Sequence, residues 1–359
     1  MTTPHSTIRR VAVIGAGAWG TCLARHLAEN HLTVKLWAFE SEVVEAVNMT
    51  HENTVFLPGV SLPKSLIATT SFSEALSNAD LLIFAVPSHV MRMVLKNMKP
   101  SLSKAAPIVV ATKGIEEDTL KFMTQVLQEI LPSDWAYGIT VLTGPSFAAE
   151  VCQSKPTTIL LAGQDPALTT QLQSVFMTSV FRVYTGSDVL GAQLGGALKN
   201  VMAIAAGVVD GLQLGGNARA ALITRGLAEI IRLGVALGAD VHTLYGLSGL
   251  GDLVLTCTGS LSRNYTVGVQ LGQGKSLERI LEDTITVAEG IRTTRAAMSL
   301  ATQLHVEMPI VQGIHALLFE GKSARQAVEE LMSRSAKEET SHTLAHPPSS
   351  SSEFPAGRS

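Results

Sequence analysis

A single lysine lies in a long row of small and apolar residues near the middle of the chain. The segment Leu194–Val209 reads LGGALKNVMAIAAGVV, and Lys199 is its one charged residue. Burial lowers the pKa of a lysine, so its amine becomes able to accept or return a proton near neutral pH. Lys199 is therefore a candidate for acid–base chemistry; the alternative is a lysine that extends to the surface or pairs with a carboxylate.

An acid and an arginine follow further along the chain. Asp252 and Thr256 are four residues apart, which places them on one face if the segment is helical. The triplet Ser262-Arg263-Asn264 joins a guanidinium to hydroxyl and amide donors, a set suited to a phosphate ester. The structural alternatives are a helix-capping aspartate and a solvated arginine.

Two further candidate groups follow strand-like apolar runs. Lys113 comes directly after Ile108–Thr112, and the loop 143–148 (TGPSFA) comes after Ile139–Leu142. In open α/β sheets, ligands bind at the carboxyl ends of the strands, which is where both segments would lie. An ordinary surface lysine and an ordinary turn are the alternatives.

A glycine loop near the start of the chain predicts a dinucleotide site. Gly15-x-Gly17-x-x-Gly20 follows an apolar strand-like run and precedes a helical pattern, with a second strand at Thr33–Trp37. Gly15 permits the tight turn, Gly17 lets the backbone approach a pyrophosphate at the helix N-terminus, and Gly20 lets helix and strand pack closely. The alternative is a bare connection between strand and helix. The choice between NAD and NADP stays open.

The elements that must position these residues fall into two groups. Apolar runs predict strands of a parallel, doubly wound sheet, at Arg10–Ile14, Thr33–Trp37, Leu81–Val86, Ile108–Thr112, Ile139–Leu142 and Thr157–Leu161. A helix is predicted from Trp19 to Asn30, and after Asp188 helical segments replace strands, at Gln193–Leu212, Ala218–Leu237, Arg263–Leu271, Thr293–Gln303 and Ile310–Phe319.

We therefore predict an α/β Rossmann-type doubly wound sheet followed by an all-α C-terminal domain. The dinucleotide-binding domain would span residues 8–188, and the helical substrate and catalytic domain residues 189–336. Residues 337–359 lack apolar periodicity and are expected to form a disordered tail.

Composition limits the classes of partner. A formal net charge of −3 gives no basic field for nucleic acid, so a small-molecule substrate is expected. Cys22, Cys152 and Cys257 are far apart and have no metal-ligand spacing, which predicts buried thiols in a reducing compartment and no metal site. The N-terminal segment is too short and polar for a signal peptide, and the apolar runs are shorter than the ~20 residues of a membrane span. A soluble cytoplasmic protein is expected.

The chain closely resembles the bacterial NAD(P)-dependent glycerol-3-phosphate dehydrogenases. The matching stretches run in family order over roughly residues 8–336. They are Gly15–Thr21, Val86–His89, Ala111–Gly114, Gly144–Ala148, Gln193–Asn200, Asn217–Arg225, Gly249–Thr258, Ser262–Asn264 and Val287–Gly290.

The resemblance implies reversible interconversion of dihydroxyacetone phosphate and sn-glycerol 3-phosphate by hydride transfer, which feeds phospholipid synthesis, in a cytoplasmic homodimer. Lys199 would accept the proton of the C2 hydroxyl, Asp252 would orient the lysine or the substrate, and Arg263 with Asn264 would hold the phosphate. Further substrate contacts are implied at Lys113, Gly144, Ser146 and Ser262. Implied contacts to NAD or NADP are Gly15, Gly17, Trp19, Gly20, Phe39, Lys113, Ala148, Arg263, Val287 and Glu289.

Two departures from the family pattern concern the coenzyme and the tail. The resemblance leans toward NADP, but Phe39 stands where many relatives carry a polar or basic residue that meets the adenosine phosphate. The tail after Lys337 has no counterpart. From the residues alone, Trp19 equally fits packing at the helix start.

Two other functions fit part of the pattern. The first is a related dehydrogenase of a hydroxyacid or ketopantoate, which would not need the Ser262–Asn264 triplet. The second is a non-catalytic nucleotide sensor with a protein partner, which would not need Lys199 isolated in an apolar helix, where burial of a charge is costly.

Overall fold

The computed structural model describes residues 8–282, 288–336 and 338–339. Its strands are β1 (Arg10–Ile14), β2 (Thr33–Trp37), β3 (Glu52–Asn53), β4 (Leu57–Ser61), β5 (Ile67–Thr69), β6 (Leu81–Phe84), β7 (Ile108–Val110), β8 (Ile139–Thr143), β9 (Thr157–Gly163) and β10 (Phe181–Gly186). Its helices are α1 (Ala18–Glu29), α2 (Ser41–Thr50), α3 (Phe72–Leu76), α4 (Met91–Met98), α5 (Met123–Ile130), α6 (Ala148–Cys152), α7 (Pro166–Phe176), α8 (Val189–Gly211), α9 (Gly215–Leu237), α10 (Val241–Tyr245), α11 (Asp252–Thr258), α12 (Arg263–Gly272), α13 (Leu277–Glu282), α14 (Glu289–Gln303), α15 (Pro309–Phe319) and α16 (Ala324–Met332).

An eight-stranded sheet forms the first part of the chain, in the order β10-β9-β8-β7-β6-β1-β2-β5. The six strands from β5 to β8 pair in parallel, and the chain crosses from one side of β1 to the other between β5 and β6. This order reversal makes the carboxyl ends of β1 and β6 a topological switch point, where such sheets bind ligands. The predicted fold class is confirmed.

One predicted strand direction is wrong. β9 pairs antiparallel with β8, and β10 follows β9 in parallel, so both run against the rest of the sheet. An unbroken apolar run indicates burial on both faces but carries no information on direction. β10, which the sequence prediction missed, alternates buried Phe181 and Val183 with exposed Arg182 and Tyr184, the pattern of a half-buried strand.

Helix α8 is the core of the second part. Residues from Gly191 to Val209 are buried along its whole circumference. Glycines bring α12 against it: a Cβ on Gly207 would overlap the Tyr265 carbonyl oxygen, and one on Gly268 would overlap that of Ile204. Among the described residues, α8 is long and apolar enough to cross a membrane, which the sequence expectation overlooked, but its apolar window is entirely buried inside the protein.

The strands end at Gly186 and the helical part begins at Val189. The predicted division into two domains at residue 188 stays a prediction. Of the predicted tail, residues 338–339 are described; Lys337 and residues 340–359 lie outside the described residues. The implied cofactor contact Val287 also lies outside them.

Glu229 holds the start of α15 from within α9. It is 2% exposed, and its carboxylate oxygens accept hydrogen bonds from the backbone N–H groups of Ile310 (2.7 Å) and Val311 (3.2 Å). Burial raises the pKa of Glu229 from 4.5 to about 7, against the lowering effect of these two bonds. The folded protein therefore holds a proton at Glu229 at pH values where the unfolded chain has released it.

We expect the contribution of Glu229 to the free energy of unfolding to fall as the pH rises. It is fully present below the unfolded pKa of 4.5 and is lost as the pH passes about 7, a change of about 3 kcal/mol. Urea unfolding at about pH 5 and about pH 8 measures it. Glu229→Gln should flatten this pH dependence, and Glu329→Gln, at an exposed site of α16, should retain it. A Glu229→Gln protein with the wild-type dependence would assign the effect to another group.

Candidate functional site

The glycine loop lies at the switch point of the sheet, where β1 turns into α1. Gly15 has a φ of +113°, and a Cβ on it would lie 2.8 Å from the backbone between Ala85 and Val86. A Cβ on Gly20 would overlap the carbonyl oxygen of Gly15. Both glycines are therefore required by packing within the protein, as predicted for the turn and for helix–strand contact.

Gly17 differs from its two neighbours in the motif. Among the described residues, a Cβ built on it would meet no atom within 4 Å, and its φ of −64° is accessible to any residue. It precedes Ala18, the first residue of α1, so the space beside it adjoins the unpaired N–H groups at the helix N-terminus. These residues fit a dinucleotide pyrophosphate, because folding of the protein itself gives no reason for a glycine here.

This contrast gives a test of the loop. Gly17→Ala should unfold at the wild-type temperature but bind NADH and NADPH at least about tenfold more weakly, a loss of at least about 1.4 kcal/mol, because its methyl occupies the cradle. Gly20→Ala should lower the unfolding temperature as well, since its methyl overlaps backbone. Fluorescence titration and thermal unfolding measure the two effects. Unchanged dinucleotide binding by Gly17→Ala would show that the pyrophosphate does not bind at the first turn of α1.

A buried carboxylate joins the two candidate lysines. Asp252 is 1% exposed; its Oδ1 accepts a hydrogen bond from Lys199 Nζ at 2.6 Å, and its Oδ2 accepts one from Lys113 Nζ at 2.6 Å. Thr256 Oγ1 accepts from Lys199 Nζ at 2.9 Å and donates to the Asp252 carbonyl oxygen at 2.6 Å. Lys199 is thus both buried and paired with a carboxylate. The two alternatives offered by the sequence, a buried acid–base lysine and an ion-paired lysine, occur together.

The surroundings tune Lys199 toward proton exchange. Burial lowers the pKa of Lys199 to about 8; the Asp252 carboxylate raises it and the nearby Lys113 cation lowers it further. Near neutral pH a minority of molecules carries the neutral amine, and the rest carry the ammonium. An amine with both forms accessible can act as a general base in one direction of a reaction and as a general acid in the other.

Close approach at glycines brings the three charged side chains together. Lys199 lies in α8, and Asp252 opens α11 directly after a π-helical turn at Leu247–Gly251. A Cβ on Gly195 would lie 2.5 Å from the Ser248 carbonyl oxygen, so this glycine lets the turn pack on α8. A Cβ on Gly196 would lie 2.8 Å from Thr143 Oγ1 and 3.6 Å from Lys113 Cγ. The Gly195-Gly196 pair before Lys199 was the available sequence signal for this contact.

The loop after β8 contributes backbone oxygen to the same cluster. The Gly144 carbonyl oxygen accepts from Lys113 Nζ at 3.3 Å and from Ser146 Oγ at 3.0 Å. Ala148 begins α6. Thr143 Oγ1, in the same loop, is buried and has no hydrogen-bond partner among the residues that the structure describes. The structure therefore brings Lys113 and Lys199 to Asp252, and Gly144 to Lys113.

A second contact joins the sheet edge to the helical part. Glu289 at the start of α14 accepts hydrogen bonds from the Ser88 backbone N–H (3.1 Å, Oε1) and from Ser88 Oγ (2.6 Å, Oε2). A Cβ on Gly114 would lie 2.5 Å from Ser88 Oγ, and Gly114 has a φ of +151°. The contact of Ser88 was not predicted, because nothing in its spacing indicates a partner 201 positions away.

The Ser262–Asn264 triplet caps α12 and anchors it beside Lys199. Ser262 Oγ accepts from the Tyr265 N–H at 3.2 Å. The buried Asn264 side chain donates to Asn200 Oδ1 at 3.0 Å and accepts from the Gly290 N–H at 2.9 Å. Arg263 is exposed on the first turn. The triplet thus contains one outward cation, held by two residues whose polar atoms bond within the protein.

Two implied cofactor contacts follow the carboxyl ends of β1 and β2. Trp19 is half-buried and packs against the core, while its buried Nε1 has no hydrogen-bond partner in the described part of the chain. Phe39 follows β2 and is 76% exposed. Core packing therefore explains the indole ring of Trp19 but not its N–H group. Packing within the protein does not explain an aromatic residue at position 39.

Known proteins similar to this chain were found by family, by sequence and by structure. Family models described as NAD-dependent glycerol-3-phosphate dehydrogenase N-terminus and C-terminus match residues 10–169 and 188–329. Relatives named glycerol-3-phosphate dehydrogenase (NAD(P)+), from Geobacter metallireducens and Geobacter sulfurreducens, are 53% and 52% identical over 330 residues, covering 92% of this chain and 98% of each relative. A crystal structure of glycerol-3-phosphate dehydrogenase from Coxiella burnetii superposes with a TM-score of 0.87 at 36% identity, covering 92% of this chain and 100% of that chain.

Proposed function

Because the chain belongs to the NAD-dependent glycerol-3-phosphate dehydrogenase family, we propose that it interconverts dihydroxyacetone phosphate and sn-glycerol 3-phosphate, with NAD or NADP as coenzyme. The observation that carries this proposal is the buried Lys199–Asp252–Lys113 cluster at the carboxyl edge of the sheet. It combines a proton-exchanging amine with the edge at which a Rossmann-type sheet binds its dinucleotide.

Lys199 is the proposed acid–base group. In the oxidative direction its neutral amine takes the proton of the C2 hydroxyl, and in the reductive direction its ammonium returns a proton to the C2 carbonyl oxygen. The dinucleotide, when bound, accepts or supplies the hydride at C2. Asp252 holds the amine in place with a 2.6 Å hydrogen bond, and Lys113 contributes a second positive charge beside the substrate oxygen.

Arg263 is the proposed phosphate anchor. Its guanidinium is exposed at the N-terminus of α12, where the helix dipole also favours an anion. Asn264 is proposed as a positioning residue, because its amide bonds to Asn200, the residue after Lys199, and so fixes α12 relative to the acid–base group. Ser262, Gly144 and Ser146 complete the proposed substrate contacts.

We expect Arg263→Ala to raise the KM for dihydroxyacetone phosphate about 10- to 100-fold, because a charge-assisted hydrogen bond contributes about 1.5–3 kcal/mol. The kcat should change less than the KM, since the guanidinium is proposed to contact the phosphate and not the reacting C2 atom. Arg279→Ala, an exposed site on α13, serves as the matched control and should keep wild-type constants. Steady-state kinetics separate the two constants. An unchanged KM would require another residue to hold the phosphate.

Dinucleotide binding is proposed at the first turn of α1, with Gly15, Gly17 and Gly20 forming the cradle. Trp19, Phe39, Lys113, Ala148, Arg263, Val287 and Glu289 are the further proposed contacts. Two of these contacts have support in the structure. Trp19 Nε1 has no hydrogen-bond partner among the described residues, and the Phe39 ring is exposed, so packing of the protein explains neither group. The resemblance to the family favours NADP as the coenzyme. Phe39 favours NAD, because its side chain has no charge to bind the additional phosphate of NADP. Comparing kcat/KM for NADH and NADPH decides the preference.

We also propose that the protein is a cytoplasmic homodimer that supplies the glycerol phosphate backbone of phospholipids. The proposal includes a dinucleotide domain over 8–188 and a catalytic domain over 189–336. Separate family models for the two parts of the chain support the proposed division into domains. The location, the dimer and the cellular role rest on the resemblance to the family. Sedimentation equilibrium of the purified protein tests the dimer.

A substrate panel tests the proposed reaction. Purified protein is assayed with NADH and with NADPH against dihydroxyacetone phosphate, unphosphorylated dihydroxyacetone and ketopantoate. The proposal predicts turnover with the phosphorylated ketone and competition by inorganic phosphate. Preference for ketopantoate would place the chain among related two-domain dehydrogenases. Tight NADH binding without turnover of any ketone would indicate a nucleotide sensor.

A further inference from the structure

Two of the three cysteines lie close together, where helix α1 packs against helix α6. Cys22 lies in α1 and Cys152 is the last residue of α6, and each thiol is the main influence on the pKa of the other. Both line a cleft of about 180 Å³. A guanidinium fixes the contact, because Arg25, one turn after Cys22, donates a hydrogen bond to the Cys152 carbonyl oxygen. The two sulfurs are neighbours by the packing of α1 on α6, although the residues are far apart in the chain.

The two thiols differ in access and in acidity. Cys22 is 1% exposed, whereas Cys152 is partly exposed to the cleft. The neighbouring Cys22 thiol lowers the pKa of Cys152 and the Arg25 guanidinium lowers it further, while burial and the Glu29 carboxylate act in the opposite direction. The neighbouring Cys152 and burial raise the pKa of Cys22. A partly exposed thiolate beside a cation is the reactive kind of cysteine, and an adjacent buried thiol is placed to resolve its oxidation.

We propose that Cys152 and Cys22 are an oxidant-responsive thiol pair, in which Cys152 reacts with a hydroperoxide and Cys22 then closes an intramolecular disulfide. The Cys152 thiolate attacks a peroxide oxygen; the S–O bond forms, the O–O bond breaks and the leaving hydroxide is protonated to water. Cys22 sulfur then attacks the sulfenic sulfur; the S–S bond forms, the S–O bond breaks and a second water leaves. Two thiols give up two electrons and two protons, and hydrogen peroxide is reduced to two waters.

The bond would tie α1 to α6. Helix α1 starts at the Gly17 cradle, and α6 starts at Ala148, so both elements lead to segments that the proposed function assigns to the dinucleotide. Cys257 has a different environment. It is fully buried in α11, and burial raises its pKa to about 12. It should remain a thiol under the same conditions.

Thiol counting and peptide mapping of the full chain test the proposal, independently of enzyme activity. Treatment of the native protein with hydrogen peroxide should lower the thiols titrated after denaturation from three to one per chain, and a dithiol should restore all three. Non-reducing digestion should yield one linked peptide joining Cys22 to Cys152. Retention of all three thiols, or a linkage between chains or to Cys257, would overturn it.

Single substitutions separate the roles of the two sulfurs. Cys22→Ser should accumulate a sulfenic acid on Cys152 that dimedone traps, because the resolving thiol is absent. Cys152→Ser should leave Cys22 unoxidised. Cys257→Ser is the matched control and should still lose two thiols. Dimedone labelling at Cys22 in the Cys152→Ser protein, at the rate seen for Cys152 in the Cys22→Ser protein, would contradict the assigned order.

Discussion

Lys199→Ala is expected to lower kcat by about 10²- to 10⁴-fold, the range of contributions made by a general acid–base group. The variant removes the amine that exchanges the C2 proton but leaves the dinucleotide cradle at Gly15–Gly20 untouched. Dinucleotide affinity should therefore stay at the wild-type value while turnover is lost. Stopped-flow or steady-state assays with fluorescence titration of NADH measure both quantities.

The pH dependence of the wild-type enzyme gives the same assignment a second readout. Because the pKa of Lys199 is about 8, oxidation of glycerol 3-phosphate should accelerate as the pH rises through about 8, where the amine becomes neutral. Reduction of the ketone needs the ammonium and should slow over the same interval. Both dependences should disappear in Lys199→Ala. Lys322→Ala, which breaks only a surface ion pair with Glu330, serves as the control and should retain them. Near wild-type kcat in Lys199→Ala would place the acid–base group elsewhere.

Asp252→Asn is the second change with a large expected effect, and it should act on stability as well as on rate. The Asp252 carboxylate is the common partner of Lys199 and Lys113, at 2.6 Å from each ammonium. Neutralising it leaves two partly or fully buried cations facing each other, and breaking a buried pair costs about 3–5 kcal/mol. Loss of the carboxylate also lowers the pKa of Lys199 further, so the acceleration of oxidation should move to lower pH.

Two comparisons make this prediction specific. Asp118→Asn, at an exposed site, should leave both the unfolding midpoint and the pH profile unchanged. Adding Lys113→Met to Asp252→Asn should recover part of the lost stability, because one of the two opposed charges is removed, giving a favourable coupling in the double-mutant cycle. An Asp252→Asn protein with wild-type stability and pH profile would show that this carboxylate does not control Lys199.

Local sequence pattern was enough to predict the features that depend on residues close together in the chain. The strands Arg10–Ile14 and Thr33–Trp37 have the predicted bounds, and the glycine loop lies between them as expected. The helical face shared by Asp252 and Thr256 is also as predicted, since Thr256 Oγ1 donates to the Asp252 carbonyl oxygen. These features depend on spacing, which a single sequence displays directly.

Features that depend on distant partners were not predictable in this way. The direction of β9 is set by its pairing with β8, and apolar composition is the same for either direction. The Asp252 carboxylate could be proposed as a capping residue or as a partner of a lysine, and only the packing of α11 on α8 selects the second. The bonds from Ser88 to Glu289 and from Asn264 to Asn200 join residues that no local pattern relates.

The proposed reaction is tested most directly by measuring both products of the wild-type protein in the reductive direction. Purified protein is incubated with dihydroxyacetone phosphate and NADH or NADPH, and oxidised dinucleotide is counted against sn-glycerol 3-phosphate. The two should appear in equal amounts, and Lys199→Ala should slow the appearance of both to the same extent. Absence of dinucleotide oxidation, or oxidation without sn-glycerol 3-phosphate, would contradict the proposed reaction.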